Sequence, residues 1–133
     1  AQLSALLPPK ERRALVLIDP PFESGDEFAQ ITQALAAALR RFDSGVYAVW
    51  YPIKRQRDID LWHARIAASL DRPTLAAELW LHPRDSAVGL NGSGLLVVNP
   101  PWQFAPRFAD AQRWLLARLA REAGAREGIV TVS

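Results

Sequence analysis

The sequence predicts an α/β layered domain built on a mainly parallel sheet. Three observations carry that expectation. A continuous apolar run, Ala14-Leu15-Val16-Leu17-Ile18, stops abruptly at Asp19-Pro20-Pro21, as a strand covered on both faces would. Strand-like and helix-like segments then alternate along the chain. The segments between strands are long enough to be helical crossovers, giving the order β-α-β-α-β-loop-β-α.

Each element has its own local reason. After the first strand, Ser24-Gly25-Asp26-Glu27 reads as a capping box. Phe28, Ile31, Leu35, Leu39 and Phe42 recur at helical spacing until Arg40-Arg41 and Gly45 end the segment. Val46 to Tyr51 is rich in β-branched and aromatic residues and reads as a strand closed by Pro52. Ile59, Trp62, Ile66 and Leu70 mark a second amphipathic helix, ended before Pro73. Thr74 to Leu81, lying between prolines, fits a third strand. Arg84 to Gly94 has loop composition, and Leu95 to Asn99 is another buried strand halted by Pro100-Pro101. Phe108, Ala111, Leu115 and Leu119 define a last helix with Gly124 as its stop, and Ile129 to Val132 is a short strand or a frayed end. The Trp62 and Trp114 positions fall in helical stripes and are expected in the core.

Composition narrows the function classes. The 133 residues are 50% hydrophobic and 23% charged, an ordinary globular balance, and a fold of this size buries roughly two-thirds of its extended-chain surface without staples. With no Cys and two His, a disulfide, a thiolate metal site or a His-based zinc centre is not expected. The cations are 14 Arg against 2 Lys, a bias toward the side chain that grips phosphate with a planar fork, so nucleic acid is a natural partner. No apolar run approaches the roughly 20 residues of a membrane helix, and the beginning lacks signal-peptide layout, so a cytoplasmic location is expected. The chain opens at Ala1 without an initiator Met, as a piece of something longer would.

The sharpest chemical signal is Asp19-Pro20-Pro21-Phe22, at the carboxyl end of the first strand, where open α/β sheets place ligand crevices. Prolines fix φ and give up their N–H groups, leaving nearby carbonyls free to accept hydrogen bonds. Such acceptors suit an amino group. An exocyclic amine on adenine is a poor nucleophile because its lone pair is delocalised into the ring. If the Asp19 carboxylate and the Pro20 carbonyl each take one amine hydrogen, the nitrogen is drawn toward tetrahedral geometry, and Phe22 offers a face on which an extruded base can stack. The plainer possibility is that the strand ends at a Pro-Pro turn and Asp19 caps the next helix.

The tetrapeptide resembles motif IV of the amino-methyltransferases, whose form is Asp or Asn, Pro, Pro, then an aromatic residue. The wider pattern is similar to the bacterial 23S ribosomal RNA adenine-N6 methyltransferase family: Arg12-Arg13 to Glu23, Tyr51-Pro52-Ile53-Lys54, Val88 to Gly94, and Asn99-Pro100-Pro101-Trp102, in the same order over nearly the whole chain. The resemblance implies a class I, Rossmann-like fold, S-adenosylmethionine as methyl donor, and an adenine of 23S ribosomal RNA as substrate. It implies that Asp19 is the proton acceptor and touches the donor, that Pro20, Pro21 and Phe22 complete the base pocket, and that Phe22 stands where Tyr is common. It also implies that residues 1–133 are the carboxyl-terminal part of one catalytic domain, because the glycine-rich donor loop of such enzymes is absent; alone, the chain is expected to bind donor weakly or not at all. DNA adenine, a protein glutamine, or a non-catalytic RNA-binding role remain alternatives.

Three further segments carry suggestive residues. Asn99-Pro100-Pro101-Trp102 fits the loose motif too, but too little chain follows it for the remaining strands of such a fold, so Trp102 is expected to be a packing or pocket-wall residue. Lys54, Arg55 and Arg57 follow the second strand and either position RNA phosphates, Lys54 foremost, or form a solvated helix start. Gly89 to Gly94 is a lip over the pocket or simply a turn. His63 and His82 have no expected role.

Overall fold

A computed structural model describes residues 3–83 and 85–133, so readings that touch Ala1 or Arg84 lie outside the described residues. Its elements are a short 3-10 turn at Leu3–Leu6, β1 (Leu15–Ile18), α1 (Glu27–Arg41), β2 (Val46–Ile53), α2 (Gln56–Ser69), β3 (Thr74–Trp80), β4 (Gly92–Val98), α3 (Phe104–Leu119) and β5 (Arg126–Thr131). The α/β alternation is as expected, and the doubtful terminal segment is a strand.

The sense of the sheet is corrected. Strand order is β1-β2-β4-β3-β5, and only β1–β2 pair in parallel. β4 runs antiparallel to both β2 and β3, and β5 antiparallel to β3. β1, β2 and β3 therefore share one direction, but the β3–β4 hairpin inserts a reversed strand between β2 and β3. Handedness then sets the layers. The crossovers β1-α1-β2 and β2-α2-β3 advance across the sheet in the same strand direction, so right-handed connections put α1 and α2 on one face. The β4-α3-β5 crossover advances the same way in the opposite strand direction, which sends α3 to the other face.

The main core lies under α1 and α2. Ile31, Leu35 and Ala38 of α1 and Ile59, Trp62 and Ile66 of α2 pack on Tyr47, Val49, Tyr51, Leu96 and Val98 of the sheet. The other face is only partly covered. α3 lies against β3 and β5, while Leu15 and Leu17 of β1 are about 70% exposed (72% and 69%) and Trp50 is 37% exposed. The expectation that β1 is buried on both faces is thus corrected: within the described residues it is an edge strand with one bare apolar face. Trp114 is corrected likewise. It is 57% exposed, with the Arg118 guanidinium 3.8 Å over its ring, because α3 buries little of its apolar stripe.

Three boundaries also move. Pro52 sits inside β2, opposite Ser93. Its missing N–H faces the side of β1, whose pairing has already ended at Ile18–Val49, so no ladder bond is lost. Gly92 and Gly94, read as loop, belong to β4, where no side chain would fit: a Cβ on Gly92 meets Leu79 O and Trp80 Cα, and one on Gly94 meets the Tyr51 ring. The capping contact starts two residues ahead of the N-cap, with Ser24 N and Oγ both donating to Glu27 Oε1 (2.7 and 3.1 Å) while Asp26 holds the N-cap position.

Candidate functional site

The carboxyl ends of β1 and β2 lie side by side, since the two strands are parallel and in register from Leu15–Val46 to Ile18–Val49. The turn after β1 and the segment after β2 therefore share one rim of the sheet. Asp19 to Phe22 occupy the first and Lys54 to Arg57 the second. Phe22 adopts φ +52, the left-handed region that a bulky residue enters only at a cost of about 1–3 kcal/mol. The neighbouring packing holds it there: its ring lies 5.3 Å from Phe28 on α1 and 6.1 Å, edge-on, from Trp50 on β2.

Phe22 helps to line a cleft of about 390 Å³ between the start of α1, the end of β2 and α2, together with Phe28, Lys54, Leu61 and Arg65. That brings together two of the residues singled out in the sequence, Phe22 and Lys54. Asp19, Pro20 and Pro21 do not line the cleft. Asp19 is exposed at the free edge of β1, and its carboxylate has no hydrogen bond or ion pair among the described residues. It caps nothing: Asp26, not Asp19, precedes α1, and the first turn is held by Glu27, whose carboxyl is drawn below the usual range chiefly by the Ser24 N–H.

Beneath the cleft lies a polar network that the sequence did not flag. Tyr51 Oη, fully buried, donates to Glu78 Oε1 on β3 (2.7 Å) and lies 3.2 Å from His63 Nε2 on α2. With the one hydroxyl proton given to Glu78, the imidazole supplies the hydrogen of the second bond from Nε2. Burial, then the Glu78 charge, pushes the Tyr51 hydroxyl far above its ordinary pKa, and burial lowers that of His63. Trp62 packs edge-on against Tyr51 at 4.9 Å and lies 4.6 Å from Phe28, so the network stiffens the cleft floor. A buried Glu in an otherwise apolar strand, Leu75 to Trp80, was the available signal.

The second motif copy is far away. Asn99 Nδ2 donates to the carbonyls of Asp43 and Gly45, and its N–H to Pro73 O, all at the opposite end of β2 and β3. Trp102 is 84% exposed, so among the described residues it is not the packing residue expected. His82 pairs with Glu122 at the far side of the β3–β4 hairpin. Among the described residues no group of three or more His, Asp or Glu is placed to hold a metal, and no helix is long and apolar enough to cross a membrane.

The family model described as "RsmJ: Ribosomal RNA large subunit methyltransferase D, RlmJ" matches residues 1–131. The chain is 36% identical to a Haemophilus influenzae protein named ribosomal RNA large subunit methyltransferase J over 121 residues, covering 91% of the chain and 43% of that protein. It is equally identical, at 36%, to the Escherichia coli protein of the same name over 118 residues, covering 89% and 42%. A crystal structure of a Legionella pneumophila protein superposes with a TM-score of 0.85 at 29% identity, covering 98% of this chain and 48% of that one. The chain thus spans less than half the length of the curated relatives it matches. On a match across almost all of its residues, this chain belongs to the RsmJ family of ribosomal RNA large subunit methyltransferases.

Proposed function

We propose that the protein containing this chain methylates the exocyclic N6 amine of an adenine in 23S ribosomal RNA, in the cytoplasm, with the Asp19 to Phe22 turn holding the amine. The observation that carries this reading is the strained turn at the carboxyl end of β1: Phe22 is locked at φ +52 beside a carboxylate that no other group in the described chain engages. Strain of this kind persists where surrounding structure enforces it, commonly at functional sites. Asp19 and the Pro20 carbonyl accept the two amine hydrogens, Pro21 fixes the turn, and the Phe22 ring meets the base. Lys54, on the same rim, steadies the RNA backbone.

The methyl donor implied by this chemistry is S-adenosylmethionine, and the described residues fit only the amine side of the reaction. The turn after β1 is proline-rich rather than glycine-rich, and the first turn of α1 already holds the Glu27 carboxylate. In this reading Asp19 touches the donor as well as the amine. In our reading residues 1–133 are the carboxyl-terminal part of a catalytic domain. Asp19 acts as an orienting carboxylate only once the β1 edge is covered, because bulk water screens a charge that a dry site would not.

The test is methylation of unmodified 23S ribosomal RNA by the full-length protein with and without Asp19→Ala. The expected result is a fall in kcat of about a hundredfold or more, on the scale of losing one aimed hydrogen-bonding group at a reacting centre. Equal activity in a folded variant overturns the assignment. Running the same labelled-methyl assay on duplex DNA and on protein glutamine substrates checks the polymer.

A further inference from the structure

We propose that the cleft between α1 and α2 is a subsite for one unpaired nucleotide adjacent to the target adenine, with its base on the aromatic floor and its phosphates on the cationic rim. This rests on the reading above and extends it, since the cleft adjoins the catalytic turn through Phe22 but does not include Asp19.

The cleft's volume, about 390 Å³, lies in the range of small-molecule sites, about 300–1,000 Å³. Its parts match the parts of a nucleotide. Phe28 is half-buried and Leu61 is 59% exposed at the lip, so an apolar wall is open to a planar ring. Bases stack on such walls with little sequence preference. Of the cations at the rim, Arg55 is already paired with Asp58 at 2.9 Å. Lys54 and Arg65 have no acidic partner among the described residues and are free to meet phosphate. Glu27, which also lines the cleft, is buried with Oε1 held by both Ser24 donors, so the acidic group at this end is already engaged inside the protein.

The strand has a path onward. Lys54 and Arg55 also border a neighbouring depression that includes Arg57 and Ser86, so cationic groups run from the cleft toward the β3–β4 loop. A recessed aromatic wall excludes a duplex, whose bases are stacked away from it, and selects a single-stranded segment.

The experiment uses the full-length protein, a fluorescently labelled single-stranded RNA and an unmodified 23S transcript. Arg65→Glu and Leu61→Asp alter exposed positions on α2, and Arg107→Glu, exposed on α3, controls for charge. Arg65→Glu should weaken RNA binding about tenfold, raise KM to match, leave kcat within about twofold, and flatten the log affinity against log salt slope by about 0.7, the value for one single-strand phosphate contact. Leu61→Asp should abolish the quenching of 2-aminopurine placed beside the target adenine. If both variants match Arg107→Glu in affinity, slope and quenching, the subsite does not exist; a cellular defect with unaltered RNA binding would point to a protein partner and overturn it equally. Asp19→Ala separates the two readings, because it should lower kcat and leave binding and salt slope untouched. Should it stay fully active while Arg65→Glu weakens binding, the catalytic assignment fails and the subsite stands.

Discussion

Replacing Gly94 with alanine would place a methyl group inside an aromatic ring. A Cβ at that position of β4 lies 2.6 Å from Tyr51 Cε1 and closer still to Cζ and Oη, well within the roughly 3.5 Å at which carbon atoms attract. Tyr51 has nowhere to go: it is 0% exposed, its hydroxyl is held by Glu78 at 2.7 Å and His63 at 3.2 Å, and Trp62 packs against its ring. Forcing the ring aside costs about 1–3 kcal/mol as overpacking. Losing the hydrogen bond to a buried carboxylate adds about 1.5–3 kcal/mol. We expect a total near 3–5 kcal/mol, a fall in Tm of about 10–20 °C for a chain of this size. Chemical denaturation with unchanged slope would measure it. Gly89→Ala is the comparison, since that glycine has φ +95 but open space around it, and should cost only the left-handed penalty of about 1–2 kcal/mol. The double change with Tyr51→Val, which vacates the ring, should cost less than the two single changes summed. A loss below about 1 kcal/mol for Gly94→Ala, or simple additivity, would refute the reasoning.

Three other outcomes are expected. Tyr51→Phe strips a hydrogen bond from the buried Glu78 side chain and should destabilise by about 1.5–3 kcal/mol, read from the denaturation midpoint. His63 has a folded pKa held below its ordinary 6.5 by burial, so the unfolded chain binds the proton first; stability should be complete above about pH 6.5 and fall as pH drops through the folded value, and His63→Gln should flatten that part of the profile. Asn99→Ala removes two hydrogen bonds to backbone carbonyls at a residue with φ +55 and should lower stability by about 1–3 kcal/mol while leaving kcat intact; abolished activity in a folded Asn99 variant would move the catalytic assignment to the second motif.

Local signals carried a good deal. Periodic apolar positions such as Ile31, Leu35, Ile59 and Ile66 located α1 and α2 because helix periodicity and burial are the same fact seen twice. The Asp19 to Phe22 turn stood out because proline and aromatic residues at a strand end have few purely local explanations. What escaped were pairings between distant segments. Nothing near Glu78 or His63 announces that a tyrosine on a third element will join them. The two glycines of β4 read as loop because glycine is a turn former on its own, and only the neighbouring Tyr51 ring and Leu79–Trp80 backbone show that they make room.

The alternation of strands and helices, the faces that α1 and α2 bury, and the identity of the turn at the end of β1 follow from residues within a few positions of one another, and so are written locally along the chain. Contacts between distant segments account for the reversed β4 between β2 and β3, the bare face of β1 with Leu15 and Leu17 exposed, and the cleft that joins Phe22 to Lys54 and Arg65. Strand order and sense are set by which hydrogen-bonding edges meet once helices pack, a contest between segments far apart in the chain that no window of neighbouring residues records.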